Sequence, residues 1–288
     1  MGYDYTNLSA DISSLARRNY AGVKITSIGK SVSGRDIFAI FVGNGDKKVL
    51  FNGAHHGLEY LTAALVMRFA NACADAFESR LSVCGENIHK LLQTVTAVFV
   101  PMVNPDGVDI AVNGWEDEYS RYFHGETANV KQTWQANVRG VDINHNYNAA
   151  WKSIAPVPGP TRYSGCCCES EPETQAMVGF TRQTEPELVV AYHSQGEEIF
   201  YDFEGKYYGN TLEIAQKVAV ITGYRLAKPE ALASFGGYKD WFISEFKKPG
   251  FTIEVGRGKN PLNMSLFKDI YDANLPAMVC FIKSVVDD

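Results

Sequence analysis

The segment Phe51-Asn52-Gly53-Ala54-His55-His56-Gly57-Leu58-Glu59-Tyr60 constrains this chain more than any other. An apolar β-type run, Val49-Leu50-Phe51, ends in small residues. A helical pattern, Thr62-Ala63-Ala64-Leu65-Val66-Met67-Arg68-Phe69-Ala70, follows at once. A strand that passes into a helix leaves the side chains of the turn at the carboxyl edge of a sheet, facing a crevice. His56 and Glu59 have the H-x-x-E spacing, which lets an imidazole and a carboxylate reach one ion across a helical turn. Two groups do not complete a catalytic zinc site. Such a site takes three protein ligands and keeps a position for water, and two histidines with a glutamate are one established set. The pattern therefore asks for a second histidine and a free carboxylate elsewhere.

Composition sets the frame. The chain has 288 residues, 45% hydrophobic and 21% charged, enough for a full core. A formal charge of −6 argues against a nucleic-acid-binding surface and against a polybasic membrane contact. The start, Met1-Gly2-Tyr3-Asp4-Tyr5-Thr6, has no basic segment followed by an apolar one, and no run approaches transmembrane length. A cytoplasmic location is the expectation for the chain as it stands. Six cysteines are present, three of them consecutive at Cys166, Cys167 and Cys168. They make no disulfide framework, and no C-x-x-C pair offers a thiolate zinc site.

Hydrophobic periodicity orders the rest. A short amphipathic helix is expected over 4–20, with Leu8, Ile12 and Leu15 on one side. Strands are expected at 23–28, 36–42, 48–53, 94–102, 187–193 and 251–255. Helices are expected from Glu59 to about Arg80, then at 87–93, 171–184, 208–222, 236–246 and 264–286. Val103-Asn104-Pro105-Asp106-Gly107 reads as a turn. From Asn113 to Pro160 the chain is polar and irregular, but Trp115, Tyr119, Tyr122, Phe123, Trp134, Tyr147 and Trp151 argue against disorder. Alternating strands and helices give an α/β fold, one domain over 1–288, with a largely parallel central sheet.

His193 ends the apolar run Leu188-Val189-Val190-Ala191-Tyr192, and Glu254 ends Phe251-Thr252-Ile253. His56, Glu59 and His193 make a two-histidine, one-glutamate set for a single zinc ion. A carboxylate in so apolar a strand as Glu254 is costly unless paired or functional. Beside zinc, Glu254 is placed to take a proton from the activated water and pass it to the leaving amine. Each histidine alone has a plainer explanation as a hydrogen-bonded core residue. Three strand ends each delivering a suitable group make coincidence a poor one. His55 reads as a structural neighbour of the ligands, and His89 and His124 as surface histidines. No histidine is spaced to activate Cys166 to Cys168 as nucleophiles.

Taken in order, several segments resemble the zinc carboxypeptidases of the carboxypeptidase A type. They are His56-Gly57-Leu58-Glu59, Asn104-Pro105-Asp106-Gly107, Gly140-Val141-Asp142-Ile143-Asn144-His145-Asn146-Tyr147, His193-Ser194, Gly236-Gly237-Tyr238-Lys239-Asp240-Trp241 and Phe251-Thr252-Ile253-Glu254. The resemblance implies a mixed eight-stranded sheet flanked by helices, with His56, Glu59 and His193 as metal ligands and Glu254 as general base. Asp142 is expected to orient a ligand histidine through its free ring N–H. Closer still is the resemblance to bacterial γ-D-glutamyl-meso-diaminopimelate peptidases. It is carried by Tyr163-Ser164-Gly165, Ser170-Glu171-Pro172-Glu173-Thr174, 191–199, 235–243 and 248–262. It implies a murein peptide as substrate.

The departures from digestive carboxypeptidases are specific. His145 stands where their arginine grips a terminal carboxylate. Gln135 aligns with their carbonyl-polarising arginine, with Arg139 nearby. Leu232 lies near their mobile capping tyrosine. Lys239 aligns with the residue at the base of their leaving-group pocket, where a lysine suits a side chain bearing a carboxylate. Glu198 is placed to meet the ammonium beside it. Asn144, His145, Arg139, Tyr163, Lys239 and Glu198 are thus the expected substrate-binding residues. Two other zinc hydrolases stay open, a carboxypeptidase of ordinary peptides and an amidohydrolase of the succinylglutamate desuccinylase and aspartoacylase type. A non-catalytic binding protein of the same fold is the third alternative. The oligomeric state is not legible.

Overall fold

The computed structural model describes residues 2–228 and 235–286. Its strands in chain order are β1 Val23–Lys30, β2 Asp36–Val42, β3 Lys47–Gly53, β4 Ser82–Val83, β5 Glu86–Asn87, β6 Val95–Val100, β7 Leu188–His193, β8 Glu198–Phe200, β9 Arg225–Leu226 and β10 Gly250–Glu254. Eight of them form one mixed sheet in the order β1-β2-β6-β3-β7-β10-β8-β9, and β4 and β5 make a separate ribbon. The central strands β6, β3, β7 and β10 run parallel to one another. Strands β2 and β8 join that block antiparallel.

The sheet is central because its inner strands are apolar throughout. Every residue of β6 and β7 is buried, as a strand covered by helices on both faces requires. Successive residues serve opposite faces. Val49, Phe51, Val190 and Tyr192 enter one core with Phe251 and Phe281, beneath the helices Tyr60–Glu78 and Phe267–Val286. Leu50, Val189 and Ala191 enter the other with Tyr238, Trp241 and Phe242, beneath the helix Tyr238–Phe246.

The expected elements appear within a few residues of their sequence positions, with informative exceptions. The segment read as a turn at 103–107 starts a helix, Pro105–Asn113. Asn104 caps it by accepting from the Gly107 N–H at 2.9 Å, and Pro105 sits where a missing N–H costs nothing. Turn chemistry and helix-start chemistry use the same residue types, so the two readings were degenerate. Strands β8 and β9 are too short to show a period of two.

The long aromatic segment is anchored. Trp134 is fully buried, with ring centroids 5.2 Å from Trp115 and 5.1 Å from Phe123. The Asn104 amide donates to the His55 and Ala136 carbonyls at 3.0 and 3.1 Å. The Gly57 N–H donates to the Gln135 carbonyl at 2.9 Å. A Cβ on Gly57 would lie 2.3 Å from the Gly107 carbonyl oxygen, so only glycine permits this approach. The H-x-x-E turn, the capped helix and the loop around Gln135 are therefore one packing unit.

A buried acid braces the same loop. Glu173 accepts from the Val32 N–H at 3.1 Å and from the Asn137 amide at 3.2 Å, and Asn137 also donates to Glu171 at 2.8 Å. Burial first, and then the Asp106 carboxylate, pushes the Glu173 carboxyl up to about 8. The unfolded chain loses this proton near the ordinary value of 4.5, whereas the folded chain keeps it until about 8. Stability is therefore highest at and below the lower value and falls as pH rises between the two. Glu173→Gln should remove that slope and unfold at higher denaturant than wild type at pH 8. Urea melts across this pH range check it; unchanged slopes would place the proton elsewhere.

Candidate metal centre and active site

Three neighbouring parallel strands stop at one edge of the sheet. Asn52 of β3 pairs with Ala191 of β7, and Glu254 of β10 pairs with His193 of β7. This register puts His193 and Glu254 side by side. The turn after β3 then brings His56 and Glu59 over them. His56 is extended, Gly57–Glu59 form a single 3-10 turn, and the helix Tyr60–Glu78 carries the chain away. The Thr62 hydroxyl fixes the turn, donating to the Glu59 carbonyl and accepting from the Ala54 N–H, both at 2.8 Å.

Glu59 is the hub. It is 2% exposed, and its two oxygens meet His56 Nδ1 at 2.8 Å and His193 Nδ1 at 2.9 Å. Burial opposes its charge, but the two imidazoles outweigh burial and hold the carboxyl down at about 2. On the far side of the His56 ring, Nε2 lies 3.1 Å from Asp142 Oδ1, which fixes the ring's orientation. His193 Nε2 is buried with no hydrogen-bond partner. Among the described residues, His56, Glu59 and His193 are the three whose ligand atoms all lie within 4.8 Å of one another. Two imidazoles and one carboxylate, converging on a point at a cleft edge, fit a catalytic zinc ion and suit no hard oxygen-loving cation.

The cleft above this triad encloses about 610 Å³ and is lined by His56, Glu59, Gln135, Gln195, Glu198, Glu254, Lys259 and Asn260 among others. A smaller chamber of about 100 Å³ adjoins it, lined by Asn144, Lys239, Asp240, Thr252 and Glu254. Glu254 and Phe200 border both. Burial, and then the nearby Glu59 and Glu198 carboxylates, pushes the Glu254 carboxyl well above its usual range. A dication at the triad would reverse that direction.

Other expected residues separate into two groups. Asn144, Lys239 and Glu198 line the cavities. Lys239 is 5% exposed, so it is no surface lysine; its ammonium donates to the Asp240 carboxylate and the Asp202 carbonyl. The Glu198 carboxylate is held by Arg225. Arg139, His145 and Tyr163 make their contacts outside these two linings. Arg139 is drawn to Glu171 at 3.5 Å, and His145 Nδ1 is held by the Phe235 carbonyl at 2.7 Å. The Tyr163 carbonyl accepts from the Asp142 N–H at 2.7 Å, so this residue braces the ligand-orienting acid instead. Leu232 lies outside the described residues.

His55 is fully buried, with Nε2 2.9 Å from the Tyr147 hydroxyl and its ring stacked 5.5 Å from His193. Burial, and then the two neighbouring histidines, pushes it well below its usual range, so it stays neutral. His124 is exposed, while His89 is half-buried against Phe77. Sequence reasoning missed Asn260. Its amide donates to the Ser194 carbonyl at 2.6 Å and reaches Glu59 at 3.5 Å, while Ser194 Oγ donates back to it at 2.8 Å. Its signal was its place in the matching segment 248–262, which carries no local pattern that assigns it a role.

Comparison with known proteins agrees with this geometry. The zinc carboxypeptidase family model matches residues 8–276, and the chain belongs to that family. A relative from Lysinibacillus sphaericus, gamma-D-glutamyl-L-diamino acid endopeptidase 1, is 33% identical over 95% of this chain and 70% of its own length. Thrombin activatable fibrinolysis inhibitor superposes with a TM-score of 0.79 at 19% identity, over 100% of this chain and 75% of that one. The murein-tripeptide amidase MpaA from Escherichia coli O157 gives 0.55 at 20% identity, over 90% and 91%. The protein is thus a hydrolase of the zinc metallopeptidase family. No described helix is long and apolar enough to cross a membrane.

The triad should hold one zinc ion per chain. His193→Ala should lose most of it after dialysis, and Asp142→Asn should weaken zinc affinity by about 10–100-fold. Metal analysis against graded chelator measures both. Equal zinc content in wild type and His193→Ala would overturn the ligand set.

Proposed function

We propose that this chain is a zinc peptidase that hydrolyses the γ-D-glutamyl–meso-diaminopimelate bond of murein peptides. The observation that carries the reading is Lys239, a buried ammonium at the wall of the chamber beside Glu254. His56, Glu59 and His193 would hold the metal. When bound, zinc supplies Lewis acidity, polarising the scissile carbonyl and acidifying water. Glu254 borders both cavities, so it lies where a scissile bond would cross between them, and it moves the proton from water to the departing amine. Gln135 lines the same cleft and offers an amide donor to the carbonyl oxygen.

The leaving group enters the smaller chamber. The distal end of meso-diaminopimelate carries a carboxylate and an ammonium on one carbon. Lys239 spends two donors on Asp202 and Asp240, and an ammonium has three. The third is available to the distal carboxylate. Glu198, which borders the adjoining cleft and pairs with exposed Arg225, is the partner for the ammonium. A carboxypeptidase of ordinary peptides would need a cation for the substrate's terminal carboxylate. His145, at the matching position, faces the Phe235 carbonyl instead. The sequence relative is named for a γ-D-glutamyl diamino acid bond, which supports the same choice.

Incubating the zinc-loaded protein with L-Ala-γ-D-Glu-meso-diaminopimelate should release free diaminopimelate, read by mass. Glu254→Gln should keep its zinc and lose about 10²-fold or more in kcat. An active Glu254→Gln variant would put the base elsewhere.

Lys239→Met should lower kcat/KM for the diaminopimelate substrate by at least about tenfold. It should cost much less for a matched peptide with L-lysine in that place, which lacks the distal carboxylate. Using two substrates on one variant separates recognition from any loss caused by leaving Asp240 unpaired. Equal losses would remove Lys239 from substrate reading.

A further inference from the structure

The large cleft, apart from the metal triad and Glu254, has one residue whose charge the chemistry above does not use. Lys259 lies on its rim, and it is the only lysine or arginine among the lining residues. It is exposed and makes no ion pair among the described residues. Its neighbours differ. Arg257 is paired with Glu197 at 2.6 Å, and Arg225 holds Glu198. Glu59 is engaged by the two imidazoles. The acidic side chains around the cleft thus have partners or other duties, and Lys259 lines the cavity with no ion pair among the described residues.

The backbone below Lys259 is fixed to the metal side of the cleft. The Gly258 N–H donates to Gln195 Oε1 at 3.2 Å. On the other flank, Asn260 and Ser194 exchange hydrogen bonds at 2.6 and 2.8 Å, and Ser194 directly follows the ligand His193. A flexible four-carbon stem on a pinned base covers a limited volume near the triad. The side of the scissile bond is set by the second cavity. The chamber with Lys239 adjoins the cleft at Glu254 and Phe200 and does not include Lys259. If the leaving amine occupies that chamber, Lys259 lies on the acyl side.

An acyl group linked through its γ-carboxyl has a feature that an ordinary peptide lacks. The α-carboxylate of the glutamyl residue is free, and its α-carbon is three carbon–carbon bonds from the scissile carbonyl. Three carboxylates, Glu59, Glu198 and Glu254, already crowd this cleft. A second anionic group brought there needs a cation close by, or it is repelled. We propose that Lys259 is the specificity-determining residue of the acyl subsite, pairing with the free α-carboxylate of a γ-linked glutamyl residue and thereby selecting γ-glutamyl over α-linked or α-amidated substrates. This rests on the function proposed above and adds to it a recognition step separate from Lys239.

The test uses two tripeptides with the same scissile bond, one with the free glutamyl α-carboxylate and one with that group as its amide. Zinc-loaded wild type should prefer the free acid by about fivefold or more in kcat/KM, through KM, and the preference should shrink with added salt because the ammonium is exposed. Lys259→Met should lose that preference while cleaving the amide about as well as wild type does. Lys259→Arg should keep it. A preference unchanged in Lys259→Met, or absent in wild type that cleaves both, overturns the assignment and leaves the proposed bond intact. Cleavage of neither tripeptide by wild type overturns the proposed bond and this assignment together.

Discussion

Glu59 is a carboxylate buried at the end of the sheet with no lysine or arginine among its hydrogen-bonding or ion-pair partners. A buried charge in that position is tolerable only if strong partners meet both oxygens. Two imidazoles do so, one from its own turn and one from a strand 134 positions away. The rest of the structure serves this meeting. Strands β3, β7 and β10 must be adjacent, parallel and in the observed register, or His193 and Glu254 would not reach Glu59. Asp142 must sit behind His56, and the segment around Gln135 must close over the turn.

The supports for that arrangement are largely backbone hydrogen bonds satisfied by side chains. Asn104 is the clearest case, capping a helix with its oxygen and bridging His55 to Ala136 with its amide nitrogen. Asn137 does similar work in the irregular segment after Trp134, holding Arg139 and Val141 N–H groups while contacting Glu171 and Glu173. Both are fully buried, and neither touches the cleft. Such residues preorganise the ligands and the amide-rich wall without contacting a substrate.

The charges around the cleft follow one logic. Most are already balanced by a neighbour, as Glu198 is by Arg225 and Lys239 by Asp240. Two lysines, Lys239 and Lys259, line one cavity each, and the proposed substrate, with a carboxylate on each side of the scissile bond, rests on that pairing.

The sequence by itself determined the elements and the cluster of His56, Glu59 and His193 that could hold a metal. Apolar runs ending in His193 and Glu254, and an H-x-x-E turn between a strand and a helix, are local patterns with local physical causes. Burial on both faces requires apolar runs, and a strand's end is where a polar group meets solvent. The helix at Pro105 and the strands β8 and β9 escaped because capping residues double as turn residues and because strands of three and two residues show no period. Only the tertiary structure decided which candidate binding residues share a cavity. Arg139 meets Glu171, His145 Nδ1 the Phe235 carbonyl, and the Tyr163 carbonyl the Asp142 N–H, contacts that the matching segments do not announce. Asn260 and Lys259 lie in the matching segment 248–262, but the match assigns neither a role. Their positions come from a loop strapped to Ser194 and Gln195 across more than sixty residues of chain, a long-range contact that no local pattern encodes.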